Sequence, residues 1–429
     1  MEIRPFRGWR YTGRLDGDIS PYIAPPYDVL TAEDKQRYLA GSHENIVAVD
    51  LPHVPPKELG PAEAYERAAA ELAQWKSSGV LRQETRPAIY VYEQTFEWAG
   101  RTYVRRGILC GVRGTELGED VVPHEHVFPG PLADRLKLTE CTKTQLSPIF
   151  GFYEDPAGRV GELIAAVAAT RPVARAVLND VVECLWVIDD PDDIATVASA
   201  LSGVQAFIAD GHHRYTTARN YWHRLGAAGE VGEDHEANFV MFALVSRDDP
   251  GLLILPTHRL VSGLPEGFSM ADLAEQCPAF EWRQVGTGEI GQVGIDTLLG
   301  CSPPGTLVFV EGEDARLWVA SLQRPEAMVE AAPDMTDEWR ELPPAILHEL
   351  VVERTLAPMA AEELKVEYTP EIPKVLDACR TGRAQVGVIL RGIPVRSVVA
   401  IASSGGAMPH KSTYFYPKVA TGMVLKPLE

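Results

Sequence analysis

The pattern of hydrophobic and polar positions along the chain alternates between the period typical of strands and the period typical of helices. Residues 88–96 and 101–112 alternate apolar with polar side chains across a short turn, which predicts a β-hairpin. Residues 61–77 carry apolar side chains on one helical face, and Gly79 follows, so a helix is predicted to end there. The apolar run 181–188 predicts a buried strand, and a helical segment follows it. This alternation predicts an α/β fold (mixed α+β), with mixed sheets and flanking helices.

The most informative pattern is a predicted strand, a tight turn and a helix in one stretch. The apolar run 204–209 stops at Asp210 and Gly211, and apolar side chains then recur at helical spacing up to Leu225. Asp210 suits the N-cap of the helix, and Gly211 allows an unusual dihedral angle or the close approach of a ligand. Because strands and helices alternate on both sides, we expect this strand to lie away from the edge of its sheet.

The first turn of that helix carries His212, His213 and Arg214. Backbone N–H groups and the positive end of the helix dipole favour an anion at this position, and a guanidinium can bind phosphate or carboxylate with two parallel hydrogen bonds. Two imidazoles and a guanidinium are poorly placed beside that end of a helix unless an anion binds there. We therefore predict an anion site, with phosphate as the expected ligand; the alternative is a capped helix with solvated or packed histidines.

Two earlier segments also concentrate polar side chains. Asp28 follows two prolines in the sequence IAPPYDVL and is a candidate general base or metal ligand, or else a local turn former. His124, Glu125 and His126 lie between prolines, and Arg135 follows in a charged segment. Their spacing differs from that of a helical zinc site, so the triplet would need further ligands to hold a metal. A substrate or nucleotide contact and a solvated loop are the other interpretations.

Two late segments add candidates. His258 and Arg259 end a predicted strand, where they face a cleft or serve the core. A Gly-rich turn then delivers Lys411, Ser412 and Thr413, which are the ingredients of a phosphate-binding loop without the spacing or the helix of a Walker motif.

The remaining pattern suggests how the chain divides. Residues 237–261 resemble a second hairpin around a charged turn with Gly251, and residues 285–300 read as a Gly-rich connection. A long amphipathic pattern beginning at Thr336 predicts a helix packed on a core. Four segments are expected: an N-terminal α+β domain at 1–155, an α/β domain at 156–261, a small appended subdomain at 262–335, and a C-terminal segment at 336–429 that completes the core.

Composition and charge narrow the range of partners. Of the 429 residues, 45% are hydrophobic and 23% are charged, and the formal net charge is -20. This charge disfavours nucleic acid and anionic membranes, so a bound anion requires a local cationic cluster. The sequence has no apolar stretch of signal-peptide or membrane-spanning length, which predicts a cytoplasmic protein with no membrane contact. Six widely spaced cysteines are expected to be reduced structural thiols.

Several segments together resemble a known family. IAPPYDVL, VVPHEHVFPGP, LSPIFGFY, IADGHHRYTTA, LPTHRLV and MPHKSTYFYPK are similar to the motifs of a bacterial and archaeal family catalogued as a domain of unknown function, and the resemblance spans the whole chain. The DGHHR element is also similar to the phosphate-binding turn of free serine kinases in the ParB/sulfiredoxin-like superfamily. This second resemblance covers about residues 207–218. It implies a ParB/sulfiredoxin-like element around the turn, with nucleotide phosphates at Asp210 to Arg214 and a catalytic carboxylate matched by Asp28 or Glu125.

Together with the predicted anion site, the resemblance implies a phosphotransferase of serine metabolism. Such an enzyme transfers a phosphoryl group from ATP or ADP, with Mg²⁺, to the hydroxyl of a free amino acid, and L-serine is the expected acceptor. The expected roles are catalysis by Asp28, Glu125, His213 and Lys411; nucleotide binding by Asp210, Gly211, His212, His213, Arg214, Lys411, Ser412 and Thr413; substrate binding by His124, Arg135, His258 and Arg259; and Mg²⁺ binding by Asp210.

Two other functions remain open from the sequence. One is a metal-dependent hydrolase that uses His124, His126, His212 and His213 as ligands and Glu125 as the base. The other is a nucleotide-binding protein without turnover. The expected partners are a nucleotide and a small-molecule substrate, and a homodimer is open alongside the monomer.

Overall fold

A computed structural model describes residues 1–13, 17–55, 58–125, 127, 130–229, 231–285, 292–360 and 363–429. The chain forms two compact units: the first comprises Met1–Leu253 and Pro417–Glu429, and the second comprises Ile254–Tyr416. The fold is mixed α/β, as the alternating pattern predicts.

The strands are β1 (Ile3–Arg4), β2 (Trp9–Tyr11), β3 (Leu81–Gln83), β4 (Ile89–Trp98), β5 (Arg101–Arg113), β6 (Val121–Val122), β7 (Thr144–Gln145), β8 (Ile149–Tyr153), β9 (Ala174–Leu178), β10 (Val181–Ile188), β11 (Ala206–Asp210), β12 (Phe239–Ser246), β13 (Leu253–Pro256), β14 (His258–Ser262), β15 (Phe280–Val285), β16 (Thr306–Glu311), β17 (Arg316–Leu322), β18 (Lys365–Thr369), β19 (Val386–Ile389), β20 (Thr413–Tyr416) and β21 (Lys426–Pro427).

The α-helices are α1 (Ala32–Gly41), α2 (Val47–Asp50), α3 (Ala62–Ser78), α4 (Gly130–Thr142), α5 (Arg159–Ala168), α6 (Pro191–Leu201), α7 (His212–Ala227), α8 (Met270–Gln276), α9 (Gln292–Cys301), α10 (Glu326–Ala331), α11 (Asp337–Arg340), α12 (Pro343–Ile346), α13 (Ala357–Met359), α14 (Ile372–Arg380) and α15 (Val395–Ser403). A π-helix at Leu347–Leu356 joins α12 to α13. None of the described helices combines the length and the apolar character needed to span a lipid bilayer.

A nine-stranded sheet forms the core of the first unit, in the order β6-β11-β8-β12-β5-β4-β10-β9, with β1 paired to the end of β5. The predicted hairpin of β4 and β5 is confirmed, and Trp98 pairs with Arg101 across a two-residue turn. Both turn residues, Ala99 and Gly100, have positive φ angles, of 49° and 73°, as the hairpin turn that matches strand twist requires. The strands of this sheet come from residues 1–155 and from residues 156–261, the first two segments expected from the sequence.

The strand of the predicted strand-turn-helix is β11. It pairs with β6 in parallel and with β8 antiparallel, so it lies inside the sheet as expected. Its apolar residues belong to the core of the unit, together with Tyr215 and Ala218 of α7. This packing fixes the start of α7 at one end of the sheet.

The predicted second hairpin at residues 237–261 is wrong. Strand β12 pairs with β5 on one side and with β8 on the other, so no edge is left for β13, which pairs with β20 instead. The chain turns away at Gly251, where a Cβ would lie 2.6 Å from the Cα of Arg105. Glycine permits this close approach of two backbone segments.

A six-stranded antiparallel sheet forms the core of the second unit, in the order β15-β17-β16-β19-β14-β18. One face of this sheet packs on α9 and α14, through Ile295 and Val375 among others. The prediction of a Gly-rich connection at residues 285–300 is wrong in its second half. Residues 292–301 form the helix α9, because Ile295 and Leu299 are buried in that core.

The amphipathic pattern after Thr336 is helical, as predicted, but it is interrupted. Helix α11 ends at Arg340, and a new helix begins at Pro343, where a proline in the first helical position is well tolerated. The helix then continues as the π-helix, a form that is rare in proteins.

Candidate functional site

The turn between β11 and α7 is formed by a glycine in a left-handed conformation. Gly211 is the N-cap of the sixteen-residue helix α7, with φ of 100° and ψ of 25°, and no described side chain caps the helix. The prediction that Asp210 is the N-cap is therefore wrong: Asp210 is the last residue of β11, one position earlier. Helix α7 therefore begins without a side-chain cap, and an uncapped helix N-terminus favours an anion.

The carboxylate of Asp210 is instead held by two cations. Lys418 donates from Nζ to Oδ1, and Arg214 donates to Oδ2 at 2.6 Å. Arg214 also donates to the carbonyl of Pro148, at the start of β8. Burial raises the pKa of Asp210, but the Lys418 ammonium and the Arg214 guanidinium outweigh it and lower the pKa to about 2. Asp210 is therefore ionised at neutral pH.

Lys418 follows β20 in sequence, and its backbone is fixed by buried side chains of β4 and β5. Gln94 donates to the carbonyl of Lys418 at 3.1 Å, and Arg105 donates to the carbonyl of Pro417 at 2.6 Å. Arg105 also donates to the side-chain oxygen of Gln94. The position of the Lys418 ammonium therefore depends on polar groups inside the large sheet.

That polar network includes a buried glutamate on β10. Glu183 is 1% exposed, and its carboxyl accepts hydrogen bonds from Tyr92 at 2.5 Å and from Gln94 at 3.0 Å. Burial raises the pKa of Glu183 to about 7, against the effect of these two hydrogen bonds and of Arg105. Tyr92 also accepts a hydrogen bond from the backbone N–H of Ala420 at 3.2 Å, so the network holds the segment on both sides of Lys418.

Two histidines join the HEH segment to the start of α7. The Nδ1–H of His124 donates to the carbonyl of Ile208 at 2.7 Å, and the backbone N–H of His124 donates to Nε2 of His212 at 3.2 Å. The acceptor role of Nε2 assigns the proton of neutral His212 to Nδ1, which faces the carboxylate of Glu125 at 3.9 Å. Burial lowers the pKa of both imidazoles, so both are neutral at pH 7.

The contacts of these residues bear on the metal-site alternative. Among the described residues, no group of three or more His, Cys, Asp or Glu side chains is arranged to hold a metal ion. His126, one of the four expected ligands, lies outside the described residues. His124 uses Nδ1 to bind the backbone of β11, and His212 uses Nε2 to bind the backbone of His124. These contacts give the two histidines a structural role.

A cavity lies beside the first two turns of α7. It holds about 530 Å³ of space between side chains, part of it open to solvent. Its polar lining includes Arg214 and Thr217 of α7, Arg135 of α4, Asp50 and Tyr27. The hydroxyl of Thr217 is buried and has no hydrogen-bond partner within the described ranges. A buried hydroxyl in that state is available to a ligand.

Arg135 enters this cavity already paired. Its guanidinium binds Oδ2 of Asp134 at 2.7 Å and the carbonyl of Asp50 at 2.6 Å, and it stacks 4.0 Å from the ring centre of Tyr27. Asp134 also accepts a hydrogen bond from Tyr65 at 2.7 Å. Burial raises the pKa of Asp50, and Arg135 opposes that effect. Arg135 thus contributes to one wall of the cavity a guanidinium that is already paired with carboxylates.

Asp28 follows Tyr27 in a 3-10 turn at Tyr27–Val29. Its Oδ1 is buried and has no hydrogen-bond partner in the part of the chain that the structure describes. An orphaned buried carboxylate oxygen is costly and needs an explanation, which a bound donor would provide. Glu125, the other candidate base, has a side chain that is 36% exposed and faces His124 and His212.

The remaining predicted residues belong to the second unit, and two of them lie on opposite faces of β14. His258 is 1% exposed, and its Nδ1 accepts the backbone N–H of Leu390 at 3.1 Å. Burial, with a smaller effect of Arg259, lowers the pKa of His258 to about 3. His258 is therefore a neutral core residue, whereas Arg259 faces a cavity on the other side of the sheet.

The KST segment is a tight loop before β20. Lys411 has a positive φ of 54° and an exposed side chain, and its carbonyl accepts hydrogen bonds from Thr257 and Arg259. Ser412 donates its hydroxyl proton to the carbonyl of Pro409, and Thr413 begins the strand. The Ser412 hydroxyl thus closes the loop.

The structure brings together, in the first unit, the turn at Asp210–Arg214, the pair His124 and Glu125, and the cavity with Arg135. Sequence reasoning missed Lys418, the partner of Asp210, and Asp50, a partner of Arg135. The signal for Lys418 was present, because it is the last residue of the motif MPHKSTYFYPK. No local pattern marks Asp50.

Comparison with known proteins identifies a matching protein family. A family model described as "Protein of unknown function (DUF1015)" matches residues 3–332. No curated protein matches the chain.

Several solved structures show a weak likeness. A free serine kinase in complex with AMP is 11% identical, with 71% of this chain and 89% of that chain covered and a TM-score of 0.33. SbnI with a C-terminal truncation, from Staphylococcus aureus, is 13% identical, with 75% and 87% covered and a TM-score of 0.37. A conserved hypothetical protein from Pyrococcus furiosus is 12% identical, with 71% and 92% covered and a TM-score of 0.32. With TM-scores and identities this low, these likenesses carry no argument for this chain.

Proposed function

The chain belongs to the DUF1015 family, and from the geometry of its first unit we propose that it is a phosphotransferase. In this proposal, ATP or ADP binds with its phosphates at the start of α7, and a phosphoryl group passes to the hydroxyl of a free amino acid, with L-serine as the first candidate. Phosphoryl transfer requires mainly positioning and charge neutralisation, both of which a rigid turn with fixed cations can supply.

The observation that carries the proposal is the uncapped N-terminus of α7 with two cations beside it. Gly211 leaves the first N–H groups of the helix without a side-chain cap, while Lys418 and Arg214 both bind Asp210 within one residue of that helix end. A polyphosphate would compete with Asp210 for these cations and accept hydrogen bonds from the helix N–H groups. Lys418, Arg214 and Asp210 together carry a net positive charge at this helix end, although the formal net charge of the whole protein is -20.

The acceptor site in this proposal is the cavity beside α7. Its wall carries the guanidinium groups of Arg135 and Arg214, the carboxyl of Asp50 and the unpartnered hydroxyl of Thr217. A zwitterionic amino acid matches this arrangement, because its carboxylate can bind a guanidinium while its ammonium binds a carboxylate. A small polar acceptor such as serine is therefore favoured over a large apolar one.

For the general base we propose Asp28, with Glu125 as the alternative. The buried, unpartnered oxygen of Asp28 is suited to accept the proton of a bound hydroxyl. Glu125 faces two neutral imidazoles and is more exposed. His213, in the first turn of α7, remains a proposed contributor to nucleotide binding.

Mg²⁺ is expected to arrive with the nucleotide. Both oxygens of Asp210 already bind cations, so the donor set fits a nucleotide phosphate better than a bare divalent ion. Mg²⁺ commonly keeps several waters and binds through phosphate oxygens and one or two carboxylates. In this proposal the bound Mg²⁺ would neutralise phosphate charge. Asp210 would become a ligand of Mg²⁺ only if Lys418 or Arg214 moved from Asp210 to the phosphates.

The test is a phosphoryl-transfer assay. Purified full-length protein, Mg²⁺ and either ATP or ADP are incubated with a panel of free amino and hydroxy acids, and phosphorylated product is detected by mass. We expect product with L-serine or a close analogue. Asp28→Asn should lower kcat by about two or more orders of magnitude, typical for loss of a general base, while Glu125→Gln should retain most of the activity.

Other results of this assay would change the assigned roles or overturn the proposal. A loss of activity in Glu125→Gln but not in Asp28→Asn would exchange the two roles. Tight nucleotide binding with no product from any acceptor would identify a binding protein and overturn the enzyme proposal. If the protein neither binds a nucleotide nor forms a product, the turn at Gly211 has only a structural role.

A further inference from the structure

A second cavity lies within the second unit, on the face of the six-stranded sheet opposite the core formed by α9 and α14. It holds about 850 Å³ of space between side chains, part of it open to solvent. Its walls come from β14, the edge strand β18, the π-helix and the loop before β20. Apolar side chains form much of the lining, including Leu347, Val352, Leu364 and Val366.

An unpaired arginine lies at this cavity. Arg259 is 6% exposed, and no carboxylate of the described residues lies within ion-pairing distance of it, in contrast to Arg135 of the first unit. Its hydrogen bonds go to Thr257 and to the carbonyl of Lys411, all from its terminal nitrogens. The described residues provide no acceptor for Nε of Arg259, so one edge of the guanidinium is left for another partner.

Tyr368 fixes the orientation of this guanidinium. The two residues are direct cross-strand partners on β14 and β18, and the guanidinium carbon lies 4.6 Å from the ring centre. Tyr368 is 41% exposed. Burial lowers the pKa of Arg259 to about 10, an effect that Tyr368 partly opposes. The guanidinium still carries its charge at neutral pH, and a buried charge of this kind is costly without a counter-ion.

The charges around the cavity select the ligand. Arg259 is the cation at its buried end, while Glu353 contributes a negative charge and pairs with His348 at 3.8 Å on the π-helix. One buried cation matches a single negative charge better than a phosphate dianion, because Glu353 repels a dianion more strongly than a monoanion. The apolar walls require that the rest of the ligand be hydrophobic.

We propose that the second unit binds an organic monocarboxylate with an aromatic or aliphatic body. The carboxylate takes a two-pronged hydrogen bond from the free edge of Arg259, and the body packs against Tyr368, Val352 and Val366. This site uses residues of the second unit only and does not depend on the proposed phosphotransferase.

The test measures binding to the full-length protein by calorimetry. The probes are 3-phenylpropionate, indole-3-propionate and decanoate, each compared with its neutral carboxamide. We expect at least one carboxylate to bind, with its carboxamide at least tenfold weaker. Arg259→Met should weaken carboxylate binding by tenfold or more, because a hydrogen bond to a charged group is lost, and Arg354→Met, at an exposed arginine of the π-helix, should change it less than twofold.

A second variant protects the test against a folding defect. Val352→Trp fills the cavity without removing the charge and should also abolish carboxylate binding, while circular dichroism reports an intact fold. The proposal is overturned if no carboxylate binds, if carboxylate and carboxamide bind equally, if both cavity variants bind like the wild type, or if phenyl phosphate binds more tightly than every carboxylate. Nucleotide binding measured in the same variants reports separately on the first unit.

Discussion

Lys418 donates a hydrogen bond from its ammonium group to the carboxylate of Asp210, which lies 208 residues earlier in the chain. The side chains of the two residues are only 17% and 15% exposed. The contact returns the C-terminal segment of the chain to the turn between β11 and α7. It also makes the turn a place where two cations share one carboxylate, since Arg214 binds the other oxygen.

Replacing Lys418 by methionine should weaken nucleotide binding. Loss of a charge-assisted hydrogen bond costs about 1.5–3 kcal/mol, which corresponds to roughly a tenfold to hundredfold rise in the Kd for ADP. Calorimetric titration with ADP and Mg²⁺ measures this change. Lys374→Met is the matched control, because Lys374 forms an exposed ion pair with Glu371 in the second unit. Equal affinities in the two variants would contradict a phosphate-binding role for Lys418.

Acid should remove the stabilisation that ionised Asp210 provides. The pKa of Asp210 is lowered to about 2 in the folded chain, whereas an unfolded aspartate titrates near about 3.9. The stabilisation is therefore complete above about pH 4 and is lost as pH falls towards 2, with a total on the order of 2 kcal/mol. Urea unfolding between about pH 2 and 5 measures the slope. Asp210→Asn should have a shallower slope, and an unchanged slope would count against the cation pair.

Glu183 should produce the opposite trend at higher pH. Burial raises its pKa to about 7, above the unfolded value of about 4.3, so the folded state holds the proton more tightly. The contribution of Glu183 to the free energy of unfolding is greatest below about pH 4. It declines by on the order of 3 kcal/mol as pH rises to 7. Denaturant unfolding of wild type and Glu183→Gln at intervals across this range should show the decline in the wild type alone. Parallel curves would show that Glu183 titrates normally.

Gly211→Ala should destabilise the turn. Gly211 has a φ of +100°, and a Cβ there would lie 3.2 Å from the guanidinium of Arg214, so both strain and crowding are expected. Gly79→Ala is the matched control, since Gly79 also has a positive φ, of +81°, but open space around it. We expect both variants to lose about 1 kcal/mol from the dihedral angle and Gly211→Ala to lose additional stability and nucleotide affinity. Equal losses in the two variants would show that the contact with Arg214 is unimportant.

Elements that depend on local periodicity were predictable. Helix α3 ends at Gly79, the β4–β5 hairpin turns at two residues with positive φ, and β11 leads into α7 through Gly211. Each follows from side-chain spacing and from glycine's access to left-handed conformations. The pairing of β12 was not predictable, because its neighbours β5 and β8 come from distant sequence and occupy both edges.

The candidate site divides in the same way. The strand-turn-helix, the cluster of His212, His213 and Arg214 at the helix start, and the family motifs could all be identified from the amino-acid sequence. That Asp210 pairs with Lys418 rather than capping α7 became evident from the three-dimensional fold. Periodicity is a property of neighbouring residues, whereas an ion pair depends on which distant segments the sheet brings within reach. A buried carboxylate is bound by the cations that surround it in space, and local sequence does not specify them.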